Sequence, residues 1–369
     1  MEKNKKRLIF FMPSMEGGGV EKNLILIANY ISKYISNVSL ITFDNKFNKF
    51  FYKKIKVINY KRIKNKRYSK YSKYFYCLKI LINEHCKNKN FLVFSFQANI
   101  YTIILSFFLN FKIISRSNSS PTGWNKSYIK NSIFKFFLKR ADSVVVNSSA
   151  FKKEIKKKFN INSVLIYNPL NKHEILEKSK NKINKKFFSN KKNNLKIINI
   201  ARLTNQKDQI TILKAIKIAT KNINCELLII GYGVNRKLIK NKINEFKLNK
   251  VVKLVNYKSN PYPYLKYSDL FVLSSKYEGL PNVLLEAQTL KKYVISSDCP
   301  TGPKEILING KIGSLFKIGD YKKLASEIIK YDNNKKIYKK KIIKAYNMLH
   351  RFDFEKNCKK YLSLIQKYL

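Results

Sequence analysis

Twice along the chain, short runs of β-branched and aromatic residues alternate with stretches of amphipathic, helical spacing, and this restricts the possible folds most. The first series has candidate strands at Arg7 to Met12, Val38 to Phe43, Lys56 to Asn59, Phe91 to Phe96, Lys112 to Ser115, Ser143 to Asn147 and Ser163 to Tyr167. Helices such as Val20 to Tyr34 fall between most of them. The second series has strands at Leu195 to Ile200, Glu226 to Ile230, Val251 to Val255, Leu270 to Ser274, Tyr293 to Ser297 and Gly313 to Phe316, with helical patterns such as Gln206 to Thr220 and Pro281 to Leu290. Such alternation needs crossover connections, and these build a doubly wound, mostly parallel sheet with helices on its faces. The expected class is α/β with two similar lobes, which a length of 369 residues accommodates. Ligands of open parallel sheets sit beyond the carboxyl ends of the strands, so two facing lobes would hold theirs across a cleft.

The boundaries follow from composition. Residues 171–194, NKHEILEKSKNKINKKFFSNKKNN, are charge-dense and read as a linker between a domain at 1–170 and one at 195–351. Hydrophobic residues make up 45% of the chain, enough for two cores and too many for a disordered protein. Residues 91–114 approach the length of a transmembrane span, but polar residues punctuate them and they read as a buried strand-helix-strand unit. The apolar run before Pro13 is only about six residues, too short for a signal-peptide core. Five scattered cysteines without CxxC spacing signal neither a disulfide framework nor a zinc site. A cytoplasmic protein is expected. The 76 Lys+Arg against 22 Asp+Glu give +54, a field that attracts phosphate-bearing substrates, nucleic acid or an anionic membrane surface. Lys, Asn, Ile, Phe and Tyr are abundant together, as an AT-rich genome would produce, yet each Lys near an anionic leaflet still adds roughly 1 kcal/mol of attraction.

Ser274 to Gln288, SSKYEGLPNVLLEAQ, leaves a strand and enters a helix at Pro281. The amides of Asn282, Val283 and Leu284 at that helix start suit a phosphate. Glu286 lies one turn further, within reach of an adjoining ribose, and Glu278 in the preceding loop suits sugar hydroxyls. The same residues would also suit a capped amphipathic helix with two incidental glutamates. Arg202 and Lys207, in ARLTNQKD after another strand, can converge on a diphosphate and stabilise charge on a leaving phosphate. Gly231 and Gly233 allow close backbone approach to a nucleotide. Gly17, Gly18 and Gly19 follow the first strand and could present amides to a phosphate from the opposite lobe.

In this order, the GGGVEK of Gly17 to Lys22, the RLTxxK of Arg202 to Lys207, Gly231-Tyr232-Gly233, the pair Glu278 and Glu286 within EGLPNVLLEA, and Thr301-Gly302-Pro303-Lys304-Glu305-Ile306 resemble family-4 retaining glycosyltransferases. The resemblance covers nearly the whole chain. It implies the GT-B fold, two Rossmann-like doubly wound lobes facing across a cleft. Asn333 to Leu369 carries Ile342, Ile343, Tyr346, Tyr361, Leu364 and Ile365 at helical spacing, and in this fold the first lobe would be acceptor-side, with a C-terminal helix at about 352–369 packing back on it. It further implies that Arg202 and Lys207 bind the donor diphosphate, Glu286 the ribose and Glu278 the transferred sugar. Retention without metal is implied too, the leaving phosphate deprotonating the acceptor hydroxyl. No DxD pair is present, and Lys and Arg would replace a metal's charge.

Many family members carry a His in the acceptor-side loop, where this chain has Ile114 to Ser119 and offers Arg116 and Asn118. Asn256 stands where a Gly is frequent. The expected activity is transfer of a hexose or N-acetylhexosamine from a UDP-sugar, a co-substrate and not a cofactor, to a lipid-linked glycan at the inner face of a membrane. GDP-mannose with a different acceptor is an alternative. A non-catalytic basic protein binding nucleic acid or membranes is another, although no nucleic-acid motif is present.

Overall fold

A computed structural model describes residues 6–61, 68–118, 128–183, 187–188 and 194–369, with backbone only for 128–130. The described chain divides into two compact units, Met1–Pro169 with Phe354–Leu369, and Leu170–Asp353.

The first unit runs β1 (Arg7–Phe11), α1 (Gly19–Ile31), β2 (Val38–Thr42), β3 (Ile55–Asn59), α2 (Lys70–Lys87), β4 (Phe91–Ser95), α3 (Asn99–Leu109), β5 (Lys112–Arg116), α4 (Tyr128–Leu138), β6 (Ser143–Val146), α5 (Ser149–Phe159) and β7 (Val164–Leu165). Its seven strands are parallel in the order β3-β2-β1-β4-β5-β6-β7. Side chains alternate across a strand. On β1, Leu8 and Phe10 therefore join α1 in one core, while Ile9 and Phe11 join α2 to α5 in another. Both faces are covered, which is why the strands read as nearly continuous apolar runs. Ser148 caps α5 by accepting from the Phe151 amide at 3.2 Å, a device worth about 1 kcal/mol. Residues 91–114 form β4, α3 and β5 as expected, and no helix among the described residues is long and apolar enough to cross a membrane.

The second unit runs α6 (Lys172–Lys178), β8 (Leu195–Ile200), α7 (Gln209–Ala219), β9 (Cys225–Ile230), α8 (Arg236–Glu245), β10 (Val252–Val255), α9 (Tyr262–Tyr267), β11 (Leu270–Leu273), α10 (Asn282–Thr289), β12 (Tyr293–Ser297), α11 (Pro303–Ile306), β13 (Ser314–Phe316), α12 (Tyr321–Asn333) and α13 (Lys335–Asn347). Its six strands are parallel in the order β10-β9-β8-β11-β12-β13. Strand order reverses between β8 and β11, the position beyond whose carboxyl ends open parallel sheets of this kind bind their ligands.

One segment differs from expectation. Within 171–194, Asn171 caps α6 through the Glu174 amide at 3.1 Å, and α6 packs on α9 and α10, so this stretch is part of the second unit. Residues 184–186 and 189–193 lie outside the described residues. The C-terminal pattern from Asn333 onward is two helices. Ile342 of α13 packs on the second core, whereas α14 (Phe354–Tyr368) buries Cys358, Tyr361 and Ile365 against α1 and β1 in the first unit.

Candidate functional site

Lys207 and Glu278, two of the residues expected to converge in the second unit, meet at the reversal of its strand order. The loop leaving β8 carries Arg202 and Lys207, and the loop leaving β11 carries Glu278. Backbone contacts clamp the two loops: the Lys276 amide donates to the Gln206 carbonyl at 2.8 Å, and Gln206 Nε2 donates to the Tyr277 carbonyl at 2.9 Å. Ser274 Oγ donates to the carbonyls of Lys207 and Asp208 at 2.9 and 2.8 Å. Asp208 takes a left-handed conformation, φ 45°, where α7 begins. Within this frame Lys207 Nζ makes a direct ion pair with Glu278 Oε1, both side chains largely buried. Arg202 stays exposed, its Nη2 directed to Gln206 Oε1 at 3.4 Å.

The glycines have a different task from the one expected of them. A Cβ on Gly231 would stand 2.0 Å from the Ala201 carbonyl oxygen, and one on Gly233 would stand 2.3 Å from that of Leu203. The room they leave is filled by the backbone on either side of Arg202, so they lock the position of that arginine. Gly302 likewise, at φ 84°, packs a Cβ-sized space against the Gly279 carbonyl, while Thr301 Oγ1 donates to the Glu278 carbonyl. The TGPKEI motif thus braces the loop bearing Glu278.

Helix α10 starts at Asn282 with Pro281 as its N-cap, and no side chain caps it. Asn282 and Val283 stand at this start. The Leu284 amide, expected to be available, already donates to the Pro281 carbonyl at 3.1 Å, because the first turn is tightened. Glu286 is buried one turn along and accepts from Tyr262 Oη at 3.4 Å.

The first unit corrects two expectations. Arg116 is fully buried, so it has no surface for an acceptor. Its Nε donates to Tyr361 Oη at 3.0 Å, its Nη2 to Asn168 Oδ1 at 2.7 Å and its Nη1 to Asn118 Oδ1, and it stacks over Phe96 with 5.1 Å to the ring centroid. Asn118 is held on its other side too, Nδ2 donating to the Phe96 carbonyl at 2.7 Å. Ser119 lies outside the described residues. Second, Gly18 and Gly19 open α1, but the carboxylate of Glu21 folds back to that helix start and accepts from the Glu16 amide at 3.0 Å. Its Oε2 would lie 3.0 Å from a Cβ on Gly18, so negative charge already sits where a phosphate was expected.

Residues 179–348, most of the unit that builds this constellation, match the family Glycosyl transferases group 1. Over that segment the chain is similar to the group 1 glycosyl transferases. It is 35% identical to the uncharacterized glycosyltransferase MJ1059 of Methanocaldococcus jannaschii over 47% of this chain and 44% of that one, so the match spans under half of the archaeal relative. It is 25% identical, over 97% of its own length and 98% of the relative's, to a Campylobacter jejuni GalNAc-alpha-(1->4)-GalNAc-alpha-(1->3)-diNAcBac-PP-undecaprenol alpha-1,4-N-acetyl-D-galactosaminyltransferase. Among solved structures it resembles Anabaena HepE in complex with UDP and glucose, with a TM-score of 0.79, 18% identity and coverage of 98% and 100% of the two chains. That likeness establishes the GT-B pair of parallel α/β sheets.

Contacts of several residues around this site were not read from the sequence. Tyr262 touches Glu286 but lies 24 positions from it, and Thr301 holds the Glu278 carbonyl from 23 positions away. Ser275 Oγ is buried without a hydrogen-bond partner among the described residues. Thr301 and Ser275 stand in quoted motifs, but nothing local in the sequence announced these contacts. Cys299 lies near Glu278: burial, reinforced by that negative charge, pushes its thiol up to about 12, so it stays protonated and unreactive at neutral pH.

Proposed function

We propose that the chain transfers a hexose or N-acetylhexosamine from a UDP-sugar to a lipid-linked glycan, with retention of configuration and without a metal. The observation that carries this reading is the Lys207–Glu278 ion pair at one reversal of strand order, on the loops that also carry Arg202 and lead into α10. In the proposal, Arg202 and Lys207 bind the donor diphosphate, joined by the helix start at Asn282 and Val283. Fixed positive charge lowers the barrier because breaking the sugar–phosphate bond leaves that bond's electron pair on a phosphate oxygen. Glu286, steadied by Tyr262, accepts from the ribose. Glu278 accepts from hydroxyls of the transferred sugar and is not a nucleophile. The acceptor oxygen attacks the anomeric carbon on the face the phosphate leaves, and the departing phosphate oxygen takes its proton. UDP is favoured as the donor's nucleotide because HepE, of the same fold, is solved with UDP and glucose. The lipid-linked acceptor is suggested by the Campylobacter relative's undecaprenol-linked substrate. Such an acceptor would bring the chain to the inner face of the cytoplasmic membrane.

Lys207 already holds Glu278, which gives the proposal a specific signature. Glu278→Ala releases the ammonium toward the diphosphate, so transfer is lost while UDP binding is kept or tightened. Product mass spectrometry over a panel of nucleotide sugars and lipid acceptors, with UDP-induced thermal shifts for both proteins, tests this. Full transfer by the variant, or stabilisation of the wild type by GDP but not UDP, rejects the reading.

A further inference from the structure

We propose that the outward face of α3 and α4 is a docking surface for an anionic phospholipid bilayer, an inference that rests on the lipid-linked acceptor proposed above. Helix α3, NIYTIILSFFL, carries no charged residue. Its polarity is the reverse of that of a solvated helix. Thr102 and Ser106 are buried and donate to the helix's own carbonyls at Ala98 and Ile103, at 3.1 and 2.8 Å. Phe107 and Phe108 instead face outward, 60% and 75% exposed, and Tyr101 lies one helical repeat before Phe108. An α-helix apolar around its whole circumference is expected to be covered on every side.

Helix α4 packs on α3 and extends the patch with exposed Ile133 and Phe136. Cations edge it. The Arg140 guanidinium lies 3.5 Å from the Phe136 ring centroid and 5.5 Å from that of Phe107, and Lys135 on α4 and Lys139 just after it are exposed. From Glu84 to Asp142 the sequence contains no other Asp or Glu, so no carboxylate of this stretch opposes an anionic surface. Aromatic rings with adjoining cations are the composition that enters the headgroup boundary: the rings settle among acyl chains, and Lys and Arg remain with the phosphates. Charge complementarity selects an anionic bilayer over a neutral one.

The test is co-sedimentation of the full chain with vesicles of equal parts phosphatidylglycerol and phosphatidylcholine, and with phosphatidylcholine alone. Wild type should bind the anionic vesicles and leave the neutral ones. Phe107→Ser with Phe108→Ser should reduce partition by about tenfold or more, from lost apolar burial. Lys135→Gln with Lys139→Gln should give a smaller loss that added salt mimics. Because these side chains are exposed, each variant should keep the wild-type thermal midpoint. Equal vesicle binding by the phenylalanine variant and wild type overturns the proposal, as does equal binding of wild type to both vesicles. So does a wild-type dimer that the variant turns into a monomer, since a second copy would then cover this face. A UDP-induced thermal shift measured alongside separates the two readings: stabilisation without vesicle binding removes the surface alone, and vesicle binding without stabilisation supports the surface while removing the transferase site.

Discussion

Arg116 and Lys207 are both cations at or beyond the carboxyl end of a buried parallel strand, one expected on the acceptor side and the other at the donor diphosphate. Their surroundings differ in kind. Arg116 has three neutral oxygens and an aromatic ring around it, and no acidic side chain pairs with it among the described residues. Burying an unpaired charge is costly unless its donors are matched, and this set matches them while leaving a ligand no approach. Burial also pushes the Tyr361 phenol up, Arg116 partly offsetting it, so Tyr361 stays neutral and can accept from the guanidinium. This contact ties α14 to β5. Lys207 instead has one carboxylate, at the mouth of a strand-order reversal beside an exposed arginine. A cation encircled by matched neutral groups holds a fold together; one paired with an acid at a crevice can exchange partners when an anionic ligand arrives.

The largest effect expected is on catalysis. Glu278→Ala should cut transfer by about 10²- to 10³-fold, the scale of losing one preorganised polar contact to the reacting group, read from initial rates. Little change in rate would place Glu278 with Arg116 as a structural group. Arg116→Met comes next: it leaves Asn118, Asn168 and Tyr361 without their donor and should lower unfolding stability by about 3 kcal/mol, measured by denaturant unfolding. A variant as stable as wild type would erase the contrast with Lys207. Lys207→Met should then weaken UDP binding by about tenfold, or ~1.4 kcal/mol, by calorimetric titration, with a smaller stability change than at Arg116.

The smallest effect concerns Glu84, whose partner Arg7 makes a structural ion pair at 2.6 Å. Burial pushes this carboxyl up, but hydrogen bonds from Lys87 and Arg7 outweigh it and hold the pKa below its ordinary value. A lowered folded-state pKa stabilises above the unfolded value, about 4.3, and that contribution is lost as pH falls through the folded one. Glu84→Gln should therefore lower the thermal midpoint at neutral pH, with the gap to wild type closing in acid. A gap independent of pH would mean that shape, not charge, sets the contribution of this pair.

The strands were legible in local sequence, as with β8 and β12, predicted to the residue because parallel strands covered on both sides are short continuous apolar runs between polar loops. That Lys207 and Glu278 belong to one region was legible, since both follow strands of the same doubly wound series, but their direct ion pair was not. The fate of Arg116 was not, because Tyr361 lies 245 positions away and nothing local announces it. Nor was the work of Gly231 and Gly233, whose space is filled by the carbonyls of Ala201 and Leu203. By itself the sequence determined what period and composition control: which segments are strands, which are helices, and which loops carry charge. Tertiary structure alone decided which cation is enclosed and which stays accessible, because burial and hydrogen-bond partnership depend on groups that only folding brings within a few ångströms.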